Sequence, residues 1–211
     1  QLCEEIKHLE PARMPPTPSL AIIGGAKFET KEPLIEQFLK SYDTVFVTGA
    51  LMNDVFKAHG LPVGRSIVSK AVPSPAMINH RKLLIPCDVL VETMDGQAIV
   101  KLPKEIQSGD KIVDIGPDTF SQLAPYIARA KLVLWNGPSG LYEDGYISWS
   151  HAIAEAIAQS SGISIVGGNN TITTIKSSGV SEDAFTFLST GGGAMLEYLL
   201  KGTLPGIAAL K

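Results

Sequence analysis

Residues 163–171 read ISIVGGNNT, an apolar, β-rich run that stops in a glycine-bearing turn, and this arrangement decides the fold. It occurs six times along the chain, each time ahead of a stretch with helical character. Runs that are nearly all apolar, rather than alternating, are typical of a parallel sheet covered on both faces. The runs are LAIIGGAK (20–27), VFVTGA (45–50), KIVDIGP (111–117), KLVLWNGPSG (131–140), ISIVGGNNT (163–171) and FTFLSTGGGA (185–194).

The glycine-bearing turns predict where a ligand binds. In a parallel sheet the carboxyl ends of the strands share one edge, and open α/β folds bind their ligands there. Glycines allow bare backbone N–H groups to approach an anion beside the positive end of the next helix. We therefore expect phosphate to bind along this edge.

Composition narrows the class of protein. With 211 residues and 45% hydrophobic content, the chain can bury the core of one sizeable domain. The net charge of -3 gives no basic stripe for nucleic acid, and no apolar run is long enough for a membrane span. Cys3 and Cys87 lack metal-ligand or redox spacing, which is typical of reduced thiols in a cytosolic protein.

The remaining patterns predict helices, a linker and a hairpin. Leu2, Ile6 and Leu9 share one helical face, and Pro11, Pro15, Pro16 and Pro18 predict an extended connector after it. The chain starts at Gln1 within this helical pattern, so we expect a cut there. Asp54 and Glu197 are expected on solvated helix faces. Further helices are predicted at 32–40, 51–59, 119–130, 148–159, 171–178 and 194–200, a buried strand at 83–86, and a hairpin of 89–91 with 98–100.

Two lysines are the candidate charged groups of the first turn. Lys27 and Lys31 are four residues apart, a spacing that puts both ammonium groups on one side of a helix. They could hold phosphate oxygens and neutralise charge during phosphoryl transfer. A solvated pair of surface lysines is the alternative interpretation. The turn has neither the G-x-G-x-x-G fingerprint of a dinucleotide site nor a Walker A sequence, so phosphate contacts must be spread over several turns.

Four motifs together resemble the C-terminal, nucleotide-binding half of phosphoglycerate kinase. They are GGAK (24–27) with Lys31, WNGPSGLYE (135–143), GGNNT (167–171) and STGGGA (189–194). The resemblance extends from the opening helix to the LPGIAAL ending (204–210), which is essentially the whole chain.

The resemblance implies roles for individual residues. Lys27 and Lys31 would contact the nucleotide phosphates and the transferring phosphoryl group. Gly191, Gly192 and Gly193 would offer a helix N-terminus to that group. Glu143 would bind the ribose hydroxyls, and Asn170 would occupy the position of the magnesium ligand. The other implied nucleotide contacts are Gly24, Gly25, Ala26, Gly49, Gly116 in the adenine pocket, Asn136, Pro138, Leu141, Gly167, Gly168 and the phosphate-contacting Thr171.

The resemblance also implies an architecture and an activity. The fold would be a three-layer αβα, Rossmann-like domain with a mainly parallel, six-stranded sheet. Residues 1–18 would be the interdomain helix and proline linker, and residues 19–211 the nucleotide-binding domain. The full enzyme would be a monomeric, cytoplasmic, glycolytic kinase that uses ATP/ADP and Mg²⁺. Its N-terminal phosphoglycerate-binding domain would be absent here, leaving residues 1–211 inactive alone.

Three departures from the family pattern favour a second hypothesis. The family reads G-G-G-D-T where this chain has GGNNT, so Asn170 replaces the magnesium-binding aspartate. Thr48 and Ala50 flank Gly49 where the family has glycines, and the segment 144–150 is one residue shorter. A non-catalytic nucleotide-binding or interaction domain is therefore the alternative. A Rossmann-type oxidoreductase is disfavoured because the fingerprint and its ribose-binding acid are missing.

Overall fold

The computed structural model describes residues 2–203, with side chains from Ile6 onward. Leu2 as part of the predicted apolar face, and the LPGIAAL ending, therefore lie outside the described side chains. The helices are α1 Leu2–Arg13, α2 Phe28–Ser41, α3 Ala50–Ala58, α4 Pro75–Ile78, α5 Pro117–Arg129, α6 Ser148–Gln159, α7 Asn169–Ser178 and α8 Gly192–Lys201. The strands are β1 Ser19–Ile23, β2 Thr44–Val47, β3 Leu83–Leu84, β4 Val89–Glu92, β5 Ala98–Lys101, β6 Lys111–Ile115, β7 Leu132–Asn136, β8 Ile163–Gly167 and β9 Phe187–Ser189.

A six-stranded parallel sheet in the order β3-β2-β1-β7-β8-β9 forms the middle layer. Successive residues of β1 enter different cores: Ala21 and Ile23 pack with α2 and α8, whereas Leu20 and Ile22 pack with α5 and α6. Because both faces are covered, β1 and β7 are buried at every position. The predicted three-layer αβα architecture is confirmed.

One of the six apolar runs lies outside this sheet, so its predicted placement was wrong. The strand β6 pairs antiparallel with β4 in a separate sheet of order β5-β4-β6, and β3 is the sixth strand of the main sheet. Ile112 and Ile115 pack into the second core, and Leu141 N–H donates to the Val113 carbonyl at 2.8 Å. Because β6 is thus buried apart from Lys111, its sequence looks like that of a parallel strand. The predicted β4–β5 hairpin is confirmed.

The opening helix packs on this domain itself. It continues through Pro11 to Arg13, so the connector is shorter than predicted. Leu9 and Ala12 are buried in the first core, and the Tyr42 hydroxyl donates to the Ala12 carbonyl at 2.7 Å. Across residues 2–203 no helix has the length and apolar character to cross a membrane.

Asp54 was predicted on a solvated helix face and is instead 3% exposed. Its carboxylate accepts two hydrogen bonds from Ser69, from the backbone N–H at 2.6 Å and from the hydroxyl at 3.1 Å. These bonds fasten the loop after α3 onto that helix, next to the carboxyl edge of the main sheet.

Candidate functional site

Three adjoining cavities form one groove along the carboxyl edge of the main sheet. The glycine cleft, about 490 Å³, is lined by Gly24, Gly25, Lys31, Asn136, Gly137, Pro138, Gly168, Asn169, Asn170, Thr171, Thr190, Gly191, Gly192, Gly193 and Leu196. The middle chamber, about 190 Å³, is lined by Gly25, Ala26, Gly49, Ala50, Ile67, Pro138, Gly140, Leu141, Tyr142, Glu143 and Asn170. The apolar slot, about 20 Å³, is lined by Gly49, Ala50, Met52, Asn53, Ile67, Lys111, Ile112, Val113, Ser139, Gly140 and Leu141.

The middle chamber shares lining residues with both of its neighbours. Gly25, Pro138 and Asn170 also line the glycine cleft, and Ile67 and Leu141 also line the apolar slot. The cleft and the slot have no lining residue in common. They are therefore the two ends of the groove, with the chamber between them.

Two helices begin at the glycine cleft with free N–H groups. Helix α7 starts after Gly168 and helix α8 after Gly191, and neither cap residue supplies a side-chain hydrogen bond. The first N–H groups of a helix have no partner within the helix, and its N-terminus carries partial positive charge. The two ends together make an anion-binding surface from backbone alone.

The turns around the cleft approach so closely that two glycines have no room for a side chain. A Cβ on Gly24 would lie 2.5 Å from the Pro138 carbonyl oxygen. A Cβ on Gly192 would lie 2.6 Å from the Gly168 Cα. Glycine at these positions is thus required for the turns after β1 and β7, and after β8 and β9, to share one cleft.

Lys31 is the cation of the glycine cleft. Its Nζ donates to the Asn136 Oδ1 at 2.7 Å, and the Asn136 Nδ2 donates to the Gly167 carbonyl at 2.8 Å. Burial of the ammonium lowers the pKa of Lys31 to about 8. A neutral amide is a weak counter-ion, so an incoming phosphate would gain the attraction of a charge that is poorly compensated in the free protein.

The two residues at the start of α7 play different parts. Thr171 is fully buried, and its hydroxyl accepts from the Gly137 N–H at 2.8 Å and donates to the Gly167 carbonyl at 3.1 Å. Its side chain therefore joins the turns that follow β7 and β8. Asn170 is exposed and lines both the glycine cleft and the middle chamber.

The middle chamber carries the acidic group of the groove. Glu143 lies exposed on the 3₁₀ turn Tyr142–Asp144. Partial desolvation and the neighbouring Glu143 carboxylate raise the pKa of Tyr142. The turn is fastened to β6 by an ion pair between the Lys111 Nζ and Asp144 Oδ2 at 3.0 Å.

The apolar slot combines Gly49 and Leu141, which the family motifs predicted, with residues that the sequence interpretation missed. Met52, Ile112 and Val113 are almost fully buried there, and Ile67 closes the slot although its side chain is 57% exposed. Ile67 belongs to the proline-rich loop after α3, and Ile112 and Val113 to β6, which was assigned to the wrong sheet. In the sequence these residues are recognisable only as apolar, and apolar character does not distinguish residues that contact a ligand from residues of the hydrophobic core.

The groove brings together most of the predicted site residues but leaves three outside its lining. Lys27, the extended cap residue of α2, is exposed, so it does not share the position of Lys31. Gly116, the cap residue of α5, packs against the Asp88 carboxylate, whereas Lys111, Ile112 and Val113 of the preceding strand β6 line the slot. Gly167 is buried behind the cleft and accepts hydrogen bonds from Asn136 and Thr171.

The groups that line the cleft do not suit a metal ion that the protein itself would bind. No carboxylate lines the glycine cleft, and the side chains described from residue 6 to residue 203 include no group of three His, Cys, Asp or Glu placed to hold a metal. Asn170, at the predicted metal position, offers one neutral oxygen, whereas Mg²⁺ prefers anionic oxygen ligands.

Comparisons with known proteins agree on one family. The family model described as "Phosphoglycerate kinase" matches residues 1–202. A phosphoglycerate kinase of Solibacter usitatus is 39% identical over an alignment of 214 positions, which covers 98% of this chain and 54% of that protein. The chain therefore spans about half the length of the curated relative that it matches.

Solved structures of phosphoglycerate kinases share the fold. The enzyme from Coxiella burnetii gives a TM-score of 0.86 at 32% identity, covering 100% of this chain and 57% of the other. The enzyme from Pyrococcus horikoshii gives 0.83 at 26% identity, covering 99% and 56%.

Proposed function

This chain belongs to the phosphoglycerate kinase family, and we propose that it is the nucleotide-binding half of such an enzyme. The complete enzyme would transfer a phosphoryl group between 1,3-bisphosphoglycerate and ADP, giving 3-phosphoglycerate and ATP. The single observation that carries the proposal is the order of environments along the groove. An apolar slot, a carboxylate and a lysine with free helix N–H groups follow one another as base, ribose and phosphates do in a nucleotide.

In this proposal each part of the groove binds a different part of the nucleotide. The N-termini of α7 and α8 and the Lys31 ammonium bind the phosphates and stabilise the charge that moves during transfer. Glu143 accepts hydrogen bonds from the ribose hydroxyls. The base spans the apolar slot and the adjoining part of the middle chamber, because a purine ring is larger than the slot alone.

The other half of the reaction needs a second domain. Transfer requires donor and acceptor to be held in line and away from water. The residues that line the groove serve the nucleotide and the moving phosphoryl group and include no arginine or histidine for a phosphoglycerate. The acceptor site would belong to an N-terminal domain, in keeping with relatives that are about twice as long. Monomeric state, a place in glycolysis and a cytoplasmic location are proposed with the family.

Magnesium enters this proposal with the nucleotide, as part of the substrate, and no step rests on it. The groove holds no carboxylate beside the phosphates, so the protein would add little to the affinity for the ion. Asn170 is also what favours the second candidate, a nucleotide-binding paralogue that has lost catalysis while the fold and the groove remained.

Calorimetric titration with ADP tests the binding function. We expect saturable binding and a thermal shift, both weakened by Lys31→Ala. No heat and no shift at millimolar ADP would overturn the assignment of the groove.

A coupled assay of ATP consumption tests the division of labour. Residues 1–211 should show no turnover that depends on 3-phosphoglycerate, whereas a chain that includes the N-terminal domain should. Turnover by the shorter chain, abolished by Lys31→Ala, would reveal an acceptor site within it. Binding without turnover by the longer chain would favour the non-catalytic candidate.

A further inference from the structure

Residues 65–71, called here the Ser69 loop, interlock with the first turn of α2. Helix α2 begins at Phe28, after the cap residue Lys27, whose own side chain makes no capping hydrogen bond. The Phe28 N–H donates instead to the Ser69 hydroxyl at 2.9 Å, across 41 residues of chain. A side chain from a distant loop therefore satisfies a first-turn N–H of α2, which is what a serine does in an ordinary N-cap.

The contact between the loop and α2 is reciprocal. Glu29, in the first turn of α2, accepts hydrogen bonds through its Oε1 from the backbone N–H groups of Lys70 at 3.0 Å and Ala71 at 3.2 Å. The loop hydroxyl thus binds the helix backbone, and the helix carboxylate binds the loop backbone. A capping box joins two residues of one helix in the same way, whereas here the pairing joins two separate elements.

The same serine is also bound to α3. Its hydroxyl donates to the Asp54 Oδ2 at 3.1 Å, and its backbone N–H donates to the Oδ1 at 2.6 Å. A serine hydroxyl can donate and accept at once, and the Ser69 hydroxyl does both. One oxygen atom therefore links α2, the Ser69 loop and α3.

The linked elements carry opposite ends of the groove. Lys31 lies three residues after Phe28, and the turn before α2 contributes Gly24 and Gly25 to the glycine cleft. The Ser69 loop carries Ile67, which lines the middle chamber and the apolar slot. Because 57% of Ile67 is exposed, burial holds it only weakly, and its position depends on the hydrogen bonds of the loop.

We propose that Ser69 is a positioning residue for both ends of the groove: its hydroxyl holds the start of α2, and with it Lys31, in register with the loop that carries Ile67. Ser69 itself lines none of the three cavities, so it acts through these neighbours. Release of the loop would displace the phosphate-binding lysine and the wall of the slot together. This inference rests on the proposed nucleotide function and adds to it a residue that supports the whole groove.

Hydrogen exchange of the Phe28 amide tests the proposal on the unaltered chain, because this amide can exchange once the loop releases it. A ligand that binds only the closed form suppresses opening by a factor that grows with its concentration relative to its Kd. Pyrophosphate alone and adenosine alone, each at ten times its Kd, should therefore both slow the exchange about tenfold. The control is the Met77 amide, which donates to the Ser74 hydroxyl at 3.2 Å and should exchange at an unchanged rate.

The outcomes of this experiment separate the two levels of the account. Binding of both ligands without slower exchange at Phe28, or slower exchange with only one of them, would overturn the proposal and leave nucleotide binding intact. Failure of both ligands to bind would overturn the nucleotide function together with it.

Variants then assign the effect to the hydroxyl. Ser69→Ala keeps the backbone bond to Asp54 but cuts the link to Phe28, so it should weaken pyrophosphate and adenosine binding alike, about three- to tenfold. Ser69→Thr retains the hydroxyl and should restore both affinities. The matched control Ser74→Ala removes a hydroxyl that caps α4 and should change neither affinity. No loss in Ser69→Ala, loss for one ligand alone, or an equal loss in Ser74→Ala would show that Ser69 does not position both ends.

Discussion

The glycine cleft and the apolar slot are the two ends of one groove, and they are built in different ways. The cleft consists largely of backbone: glycine turns and the N-termini of α7 and α8, with Lys31 as its cation. The slot consists of side chains from α3, β6 and the loop that carries Ile67. A site made of backbone groups can be predicted from local sequence, because its glycine turns are recognisable motifs. A site lined by side chains cannot, because it depends on which elements distant in sequence pack together.

This difference predicts that charge matters at one end and shape at the other. Lys31→Ala should weaken ADP binding by roughly ten- to a hundredfold, because a charge-assisted hydrogen bond to phosphate contributes about 1.5–3 kcal/mol. The affinity for adenosine, which has no phosphate, should stay the same. Lys27→Ala is the matched control and should cost less than about threefold, since Lys27 lies outside the groove. Calorimetry on the three proteins decides this, and equal losses in both variants would remove the distinction between the lysines.

The cleft should also be the pH-sensitive end. Burial holds the pKa of Lys31 at about 8 in the free protein, and bound phosphate favours the ammonium and so raises that pKa. Affinity for ADP is therefore full below pH 8 and falls as pH rises above it, by up to about tenfold per unit until the pKa of the complex is reached. Near pH 8 binding takes up protons, which calorimetry in buffers of different ionisation enthalpy measures. Lys31→Met should bind weakly at every pH, and a fall of the same size in that variant would exclude Lys31 as the cause.

The missing carboxylate can be restored to the cleft. Asn170→Asp should increase the enhancement of ADP affinity by Mg²⁺ about tenfold, or roughly 1–2 kcal/mol, because it supplies an anionic oxygen. Asn169→Asp is the matched control, since Asn169 is also exposed and lines the same cleft. The same gain in both variants would indicate a general effect of negative charge. No gain in either would mean that another group holds the ion.

The smallest effect is expected at the turn between the two ends. Asp144→Asn removes the ion pair that fastens the turn bearing Glu143 to β6. Exposed pairs contribute up to about 1 kcal/mol, so ADP affinity should fall about two- to threefold. Glu197→Gln breaks a comparable pair with Lys201, neither of which lines the groove, and should leave the affinity unchanged. A larger loss for Glu197→Gln would show that the Lys111–Asp144 pair does not position Glu143.

The sequence predicted the cleft well because its determinants are local. Apolar runs ending in glycine identified five strands of the main sheet, and the turns after them line the groove. Lys31 and Glu143 line it as expected from the family motifs. The β6 wall of the slot was missed because β6 is not apolar through membership of the main sheet. It is apolar because it is buried between the second core and the loop at Leu141. The region around Gly116 is an example. The family motif predicts Gly116 in the adenine pocket, but Gly116 packs against Asp88, and it is Ile112, four residues earlier, that lines the slot.

Asp54 and Asn53 show the same limit on one helix. Their helical positions alone do not reveal that the proline-rich loop after α3 folds back over that helix. Asp54 became buried against Ser69, and Asn53 against Ile67, through contacts across 14 or 15 residues of chain. Contacts of that kind are set by tertiary packing and cannot be derived from periodicity.

The most direct test of the two-ended groove is a pair of NMR titrations of the ¹⁵N-labelled chain, one with pyrophosphate and one with adenosine. Pyrophosphate should shift the amide signals of Gly168, Gly191, Gly192 and Gly193. Adenosine should shift those of Gly49, Ile112 and Leu141, and each ligand should leave the other set nearly unchanged. Shifts of one common set by both ligands, or pyrophosphate shifts centred on the slot, would contradict the assignment of phosphates to one end and base to the other.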